Sequence, residues 1–273
     1  MTQFDFTKMH GLGNDFVVID ARTGGGDLDD ATVRAVADRH TGIGCDQLIV
    51  IEPARMTEAA FFMRIRNADG SEVGACGNAA RCVADRVMRE TGKSVIQFQT
   101  GAGLLTAHRT DNGITVDMGP AQDQWRDIPL ESPTNTLHLP IKEGALSDPA
   151  AVGIGNPHMV FFVDDTEAVP LADGLGRKLE NHTLYPERTN VEVVEVRSRD
   201  HLRVRVWERG VGITQACGTG ACAALVAAHR RGLTGRSAEV ELDGGVLYID
   251  WRADSHVLMT GAVATSFTGN WTD

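Results

Sequence analysis

A chain of 273 residues with a formal net charge of −11 can hold one large domain or two modest ones, with ample core in either case. So acidic a balance, without any basic run, argues against nucleic acid and anionic membrane as partners, and no apolar stretch approaches spanning length. The opening MTQFDFTKMHG lacks the basic-then-apolar signal pattern, and the five cysteines (Cys45, Cys76, Cys82, Cys217, Cys222) are an odd number in a chain too long to need staples, so reduced thiols in the cytoplasm are the expectation.

Residues 2–9 alternate and 16–20 are a short apolar run, so both read as strands around the turn HGLGND. That turn lacks the third glycine of a dinucleotide fingerprint and the lysine of a P-loop. Asp29 or Asp30 can cap a helix reaching about His40, with Gly42 ending it. Strands are expected at 47–52 and 59–66. NADGSEVGACGN then leads into a helix over 79–91, stopped by Gly92. Strands follow at 95–100, 104–109 and 114–118. Residues 119–135, with Pro120, Pro129 and Pro133, read as a crossing between halves.

The second half begins again with VGIGNPH running into a strand at 159–163. A helix is expected over 171–182, weakened by the glycines inside it. Segments 189–197 and 201–208 alternate and read as paired strands. The helix over 221–229 is apolar on nearly every side and belongs inside a domain. Strands near 238–242, 246–251 and 256–260 follow.

Cys76 and Cys217 each precede a helix. A thiol there faces unpaired backbone N–H groups and the positive end of the peptide dipoles, where anions bind and thiolates form. Taken alone, either cysteine reads equally well as a small buried thiol. Metal binding fits poorly. Cys76/Cys82 and Cys217/Cys222 are six and five residues apart, not at zinc spacing, and on a helix each pair points apart. Cys45, Cys82 and Cys222 are assigned to packing.

The chain also repeats itself. Gly13-Asn14 and Gly155-Asn156 differ by 142 positions, Ala75-Cys76-Gly77 and Ala216-Cys217-Gly218 by 141, and Asn67 and Glu208 also by 141. The expected fold is mixed α/β: two pseudo-symmetric halves, each a rolled sheet around a central helix. The first is residues 1–118, joined by a C-terminal strand over 263–273; the second is 119–262. If the halves pair about a pseudo-twofold axis, both helix starts can face one cleft, with Cys76 and Cys217 on opposite sides. Two thiols flanking one carbon is what stereoinversion needs. A redox disulfide is the alternative, although such motifs usually hold both cysteines in one C-x-x-C turn.

The segments MHGLGNDFVVID, GIGCDQL, RNADGSEVGACGNAARC, GNPH, TNVEVVEV and ERGVGITQACGTGACAA, in this order, resemble the diaminopimelate epimerase family over the whole chain. The resemblance implies a cofactor-independent epimerase interconverting LL- and meso-2,6-diaminopimelate in lysine and peptidoglycan-precursor synthesis. It implies a small-molecule partner and admits a homodimer. It also implies roles: Cys76 and Cys217 as the acid/base pair, and His158 and Glu208 as the groups that tune them. Asn14, Gln47, Asn67, Asn156, Asn190, Glu208 and Arg209 are implied as substrate-binding side chains, with Gly77-Asn78 and Gly218-Thr219 as backbone donors. Ala79, Cys45 and Ile213 depart from the family's common residues, none at an acid/base position.

Singly, these residues have blander explanations: His158 as a core histidine, Glu208 and Arg209 as a solvated pair, Asn67, Asn156 and Asn190 as turn formers. A second two-thiol racemase resembling proline racemase is the nearest other reading; a thiol-redox or binding protein is a more distant one. The chemistry would run as follows. Without a cofactor, charge on the substrate carboxylate must be held by helix N-termini in the manner of an oxyanion hole. A free thiol has a pKa of about 8.5, and a helix start lowers it by roughly 0.2–1.5 units, so the dipole alone is expected to populate one thiolate beside one thiol.

Overall fold

The computed structural model describes residues 3–272. They form two compact units, one running up to Asp117 and resuming at Thr260, the other Met118–Met259.

In the first unit, Gln3–Gly11 and Asn14–Asp20 form an antiparallel hairpin whose register closes at Gly11–Asn14. Its two turn residues, Leu12 and Gly13, have φ of 57° and 83°. Positive φ at both positions lets a two-residue loop match the natural strand twist, and it delivers Asn14 directly after the turn. Asn14–Asp20 then pairs in parallel with Gln47–Glu52, across a connection carrying helix α1 (Asp30–Ala37). Asp29 caps α1 by accepting from the Thr32 N–H at 2.8 Å. Gln47–Glu52 lies antiparallel to Phe62–Asn67, which pairs in parallel with Val95–Thr100 across a connection carrying α2 (Gly77–Thr91). Gly103–Thr110 and Gly113–Pro120 continue as an antiparallel meander, and Ala264–Thr272 adds to the free side of Gln3–Gly11.

Helix α2 touches strands from both ends of this sheet, so the sheet wraps around it. The run Phe16–Ile19 is buried on both faces: Val17 and Ile19 pack towards α1 with Val33, Val36, Leu48 and Val50. A strand covered on both sides reads as a continuous apolar run.

The second unit repeats this order of pairings. Ala150–Gly153 is antiparallel to Pro157–Val163, which is parallel to Asn190–Ser198, antiparallel in turn to His201–Glu208. That strand is parallel to Ser237–Leu242, which is antiparallel to Gly245–Trp251. The first parallel connection carries α3 (Gly176–Glu180) and the second carries α4 (Gly218–Arg230). Helix α4 contacts all six of these strands. Ala221–Ala228 is fully buried residue by residue, which is why this helix needs no polar face.

Two expectations are corrected. Residues 119–135 are not a bare crossing: Ile128 and Leu130 are buried in the second unit's outer core with Leu139, Ile141, Leu171 and Val193. Within 171–182 only Gly176–Glu180 is α-helical; Leu171–Leu175 is an irregular turn with Gly174 at φ 90°. Gly174's left-handed backbone keeps the helix from extending back to Leu171.

Candidate active site

Cys76 is the N-cap of α2, with extended backbone and half-buried. Its Sγ lies 3.9 Å from Asn14 Oδ1, which also accepts from Asn78 Nδ2 at 3.2 Å. Asn14 Nδ2 donates to Asp46 at 2.8 Å, and Asn78 Oδ1 accepts from the fully buried Arg81 at 2.9 Å. The turn that delivers Asn14 is braced from behind. Asp15 takes bonds from Arg39 and Lys8, and the buried Lys8 also donates to the Gly44 carbonyl. Against the cost of burial, Arg39 and Lys8 hold the Asp15 carboxyl well below the usual carboxylate range.

Gln47 and Asn67 stand opposite each other in register, and Gln47 Nε2 donates to Asn67 Oδ1 at 3.0 Å. Gln47 Oε1 is buried with no hydrogen-bond partner among the described residues. Cys76, Asn14 and Asn78 thus form one contact cluster in this unit, and Gln47 with Asn67 forms a second.

Cys217 is the N-cap of α4 and is buried. Its Sγ accepts from the Gly220 N–H at 3.4 Å and lies 3.6 Å from Thr219 Oγ1. A Cβ at Gly220 would come within 3.0 Å of Glu192 Oε1 and 3.3 Å of the Cys217 sulfur, so the carboxyl and the thiol flank the same backbone. Glu208 accepts from Thr214 Oγ1. Burial pushes the Glu208 carboxyl up, opposed by Thr214, Cys217 and His158.

Burial, and then Glu208 and Glu192, push the Cys217 thiol well above its ordinary range; the Thr219 hydroxyl and Gly220 N–H pull the other way without prevailing. Desolvation and two carboxyl neighbours outweigh the helix start, so Cys217 is held as a thiol.

His158 is fully buried. Its Nδ1 is 2.6 Å from Glu192 Oε1 and its Nε2 2.9 Å from Asn156 Oδ1, while Asn156 Nδ2 is 3.4 Å from Thr219 Oγ1. Asn190 is spent on backbone: Nδ2 donates to the Pro157 carbonyl, and Oδ1 accepts from the Arg209 N–H at 2.9 Å. Arg209 in turn reaches the Glu187 carbonyl. Asn190 therefore positions Arg209. Gly77 and Gly218 open their helices, where first-turn N–H groups lack an intrahelical acceptor.

Sequence reasoning passed over Glu192, Asp46 and Arg81. For Glu192 a signal existed: Glu192 and Glu195 lie three apart on one strand and so face opposite sides, which turns one of them inward. Cys45, Cys82 and Cys222 are buried, and burial pushes Cys45 up to about 11 and Cys82 to about 12. Among the described residues no group of three His, Cys, Asp or Glu side chains is arranged to hold a metal ion, and no helix is long and apolar enough to cross a membrane.

The fold described above is that of a class of solved proteins. A hydroxyproline epimerase from Agrobacterium vitis, with bound trans-4-hydroxy-L-proline, superposes with a TM-score of 0.71 at 15% identity, covering 98% of this chain and 92% of its own. A PhzF-family phenazine biosynthesis protein from Bacillus anthracis does so at 0.69 and 14%, covering 100% of both chains. At such identities the likeness is one of fold.

Sequence narrows the class. The pattern described as diaminopimelate epimerase matches residues 6–123 and 150–265. The diaminopimelate epimerase of Rhodospirillum centenum is 59% identical over 265 residues, 97% of this chain and 91% of its own length. That of Acidiphilium cryptum is 54% identical over 265 residues, 97% and 95%. The chain belongs to the diaminopimelate epimerase family.

Proposed function

We propose that the protein interconverts LL-2,6- and meso-2,6-diaminopimelate without a cofactor, serving lysine and peptidoglycan-precursor synthesis, with Cys76 and Cys217 as its two acid/base groups. The observation that carries the reading, beside family membership, is that one device is built twice: a cysteine N-cap on the buried helix, with asparagine side chains beside it.

In one direction, the Cys76 thiolate takes the α-proton and becomes a thiol. The electron pair left on carbon spreads into the carboxylate, whose growing charge is met by first-turn N–H groups. The Cys217 thiol then delivers its proton to the opposite face of the same carbon and becomes the thiolate. Proton count is unchanged, and the reverse reaction exchanges the roles. Burial of Cys217 suits it to begin as the donor. In this reading Asn67, Asn156 and Arg209 hold the second amino-acid group of the substrate, with Asn190 holding Arg209.

The test is the reaction in D₂O. Product is expected to carry deuterium at the α-carbon while recovered substrate stays unlabelled at early times, and Cys76→Ala and Cys217→Ala should each abolish turnover. Rapid label in recovered substrate would point to one base. Turnover of proline instead of LL-diaminopimelate would move the assignment to another racemase.

A further inference from the structure

The geometry points to Glu192 as a positioning residue: through His158 it fixes the Asn156 amide with its nitrogen directed to the start of α4. The kinetic part of this inference rests on the proposed function; the structural part stands without it.

Both ring nitrogens of His158 face oxygens, Glu192 Oε1 at 2.6 Å and Asn156 Oδ1 at 2.9 Å. A neutral imidazole has one N–H and cannot donate to both. The arrangement closes only if the His158–Glu192 pair holds one further proton, either on the ring beside a carboxylate or on the carboxyl beside a neutral ring. In both cases the pair is neutral overall and Nε2 carries hydrogen. Since His158 and Glu192 are both fully buried, a neutral pair costs less than a buried anion.

The consequence falls on Asn156. With hydrogen on Nε2, its carbonyl oxygen must face the ring, and its NH₂ faces Thr219 in the first turn of α4, 3.4 Å away. Without that proton Nε2 would be bare and the amide would turn round. An acceptor would then stand in place of the donor that Asn156, in the proposed function, offers the carboxylate of the substrate's second amino-acid group. The titratable groups around the pair are Glu208, Cys217 and Tyr185, whose hydroxyl donates to the His158 carbonyl at 3.4 Å.

The fold itself does not demand the pair. His158 pairs with Asn190 as Phe16 pairs with Gln47, and Glu192 lies two residues beyond Asn190 as Ile49 lies two beyond Gln47. The first unit therefore fills the same two positions with buried Phe16 and Ile49. Apolar side chains pack there, so the polar pair in the second unit serves another end.

The experiment uses the full chain labelled with ¹⁵N-histidine, the His158 signals being identified by their loss in His158→Gln. Wild type is expected to show Nε2 fully protonated at neutral pH. In Glu192→Gln the carboxamide serves either tautomer and cannot store the proton, so Nε2 should become partly bare and kcat/KM for diaminopimelate should fall about tenfold. A bare Nε2 in wild type, a fully protonated Nε2 in Glu192→Gln, or a kcat/KM unchanged in that variant would overturn the proposal. Should Glu192→Gln not fold, the wild-type ring decides alone. Should the wild type not turn over diaminopimelate, the proposed function falls while the ring measurement still decides this inference.

Discussion

Arg81 and Asp46 stand at the two ends of one hydrogen-bonded chain: Arg81 donates to Asn78, Asn78 to Asn14, and Asn14 to Asp46. A guanidinium can only donate and a carboxylate can only accept, so the two end groups dictate the direction of both amides between them. The result is that Asn14 shows its oxygen to Cys76.

Asp46→Ala removes the accepting end and frees the Asn14 amide to turn. A hydrogen bond to a charged group is worth about 1.5–3 kcal/mol, less where it is exposed, so kcat/KM should drop about tenfold in a steady-state assay. Arg39→Ala cuts the ion pairs to Asp15 and Asp46 but leaves the Asn14–Asp46 bond in place. Its activity should stay near wild type. Equal losses in both variants would show that the acidic cluster matters only as a brace.

The two helix-start thiols should differ in reactivity. Cys76 is half-buried, whereas Cys217 is 6% exposed and held protonated by burial and two carboxyls. The thiolate is the nucleophile, so a small alkylating agent at neutral pH should modify Cys76 well before Cys217. Cys45, Cys82 and Cys222 should react only on unfolding. Peptide mass spectrometry at timed quenches checks the order, and modification of Cys217 first would contradict it.

What could be read from the residues is what one rule governs. The apolar faces of α4 and the N-cap at Asp29 follow from local pattern. The repeat followed from self-comparison, and the same succession of antiparallel and parallel pairings now stands behind it. What escaped depends on several weak terms at once. Ile128 and Leu130 sit in a proline-rich stretch with no period, so nothing local marks them as core. The state of Cys217 is a balance in which burial and two carboxyls brought in from neighbouring strands defeat the dipole. Arg81 looks like any helix-surface arginine until the sheet closes over it.

Alkaline pH should weaken the fold through the packing cysteines. Burial raises Cys45 to about 11 and Cys82 to about 12, well above the ordinary thiol range. A raised thiol keeps its proton in the folded state after the unfolded chain has released it, so the folded state binds more protons and stability falls as pH rises. The loss should begin near pH 9 and run through about pH 12, with full stability below that window. Urea midpoints of wild type and of a Cys45→Ala, Cys82→Ala double variant at pH 8 and pH 10.5 check this. The double variant should start lower and fall less.

Gly220→Ala tests how tightly Glu192 and Cys217 are packed around the start of α4. The added Cβ would meet Glu192 Oε1 at 3.0 Å, Cys217 Sγ at 3.3 Å and Val206 Cγ2 at 3.3 Å. No φ strain is involved, since Gly220 is not among the glycines with positive φ, and alanine favours a helix over glycine by about 1 kcal/mol. Overpacking a well-filled core costs about 1–3 kcal/mol, so the two effects nearly offset and the unfolding midpoint should fall only slightly. Activity should fall far more, because relief comes by shifting the very carboxyl and sulfur whose placement the proposed reaction needs. A variant as active as wild type would mean that these two groups have room to move without consequence.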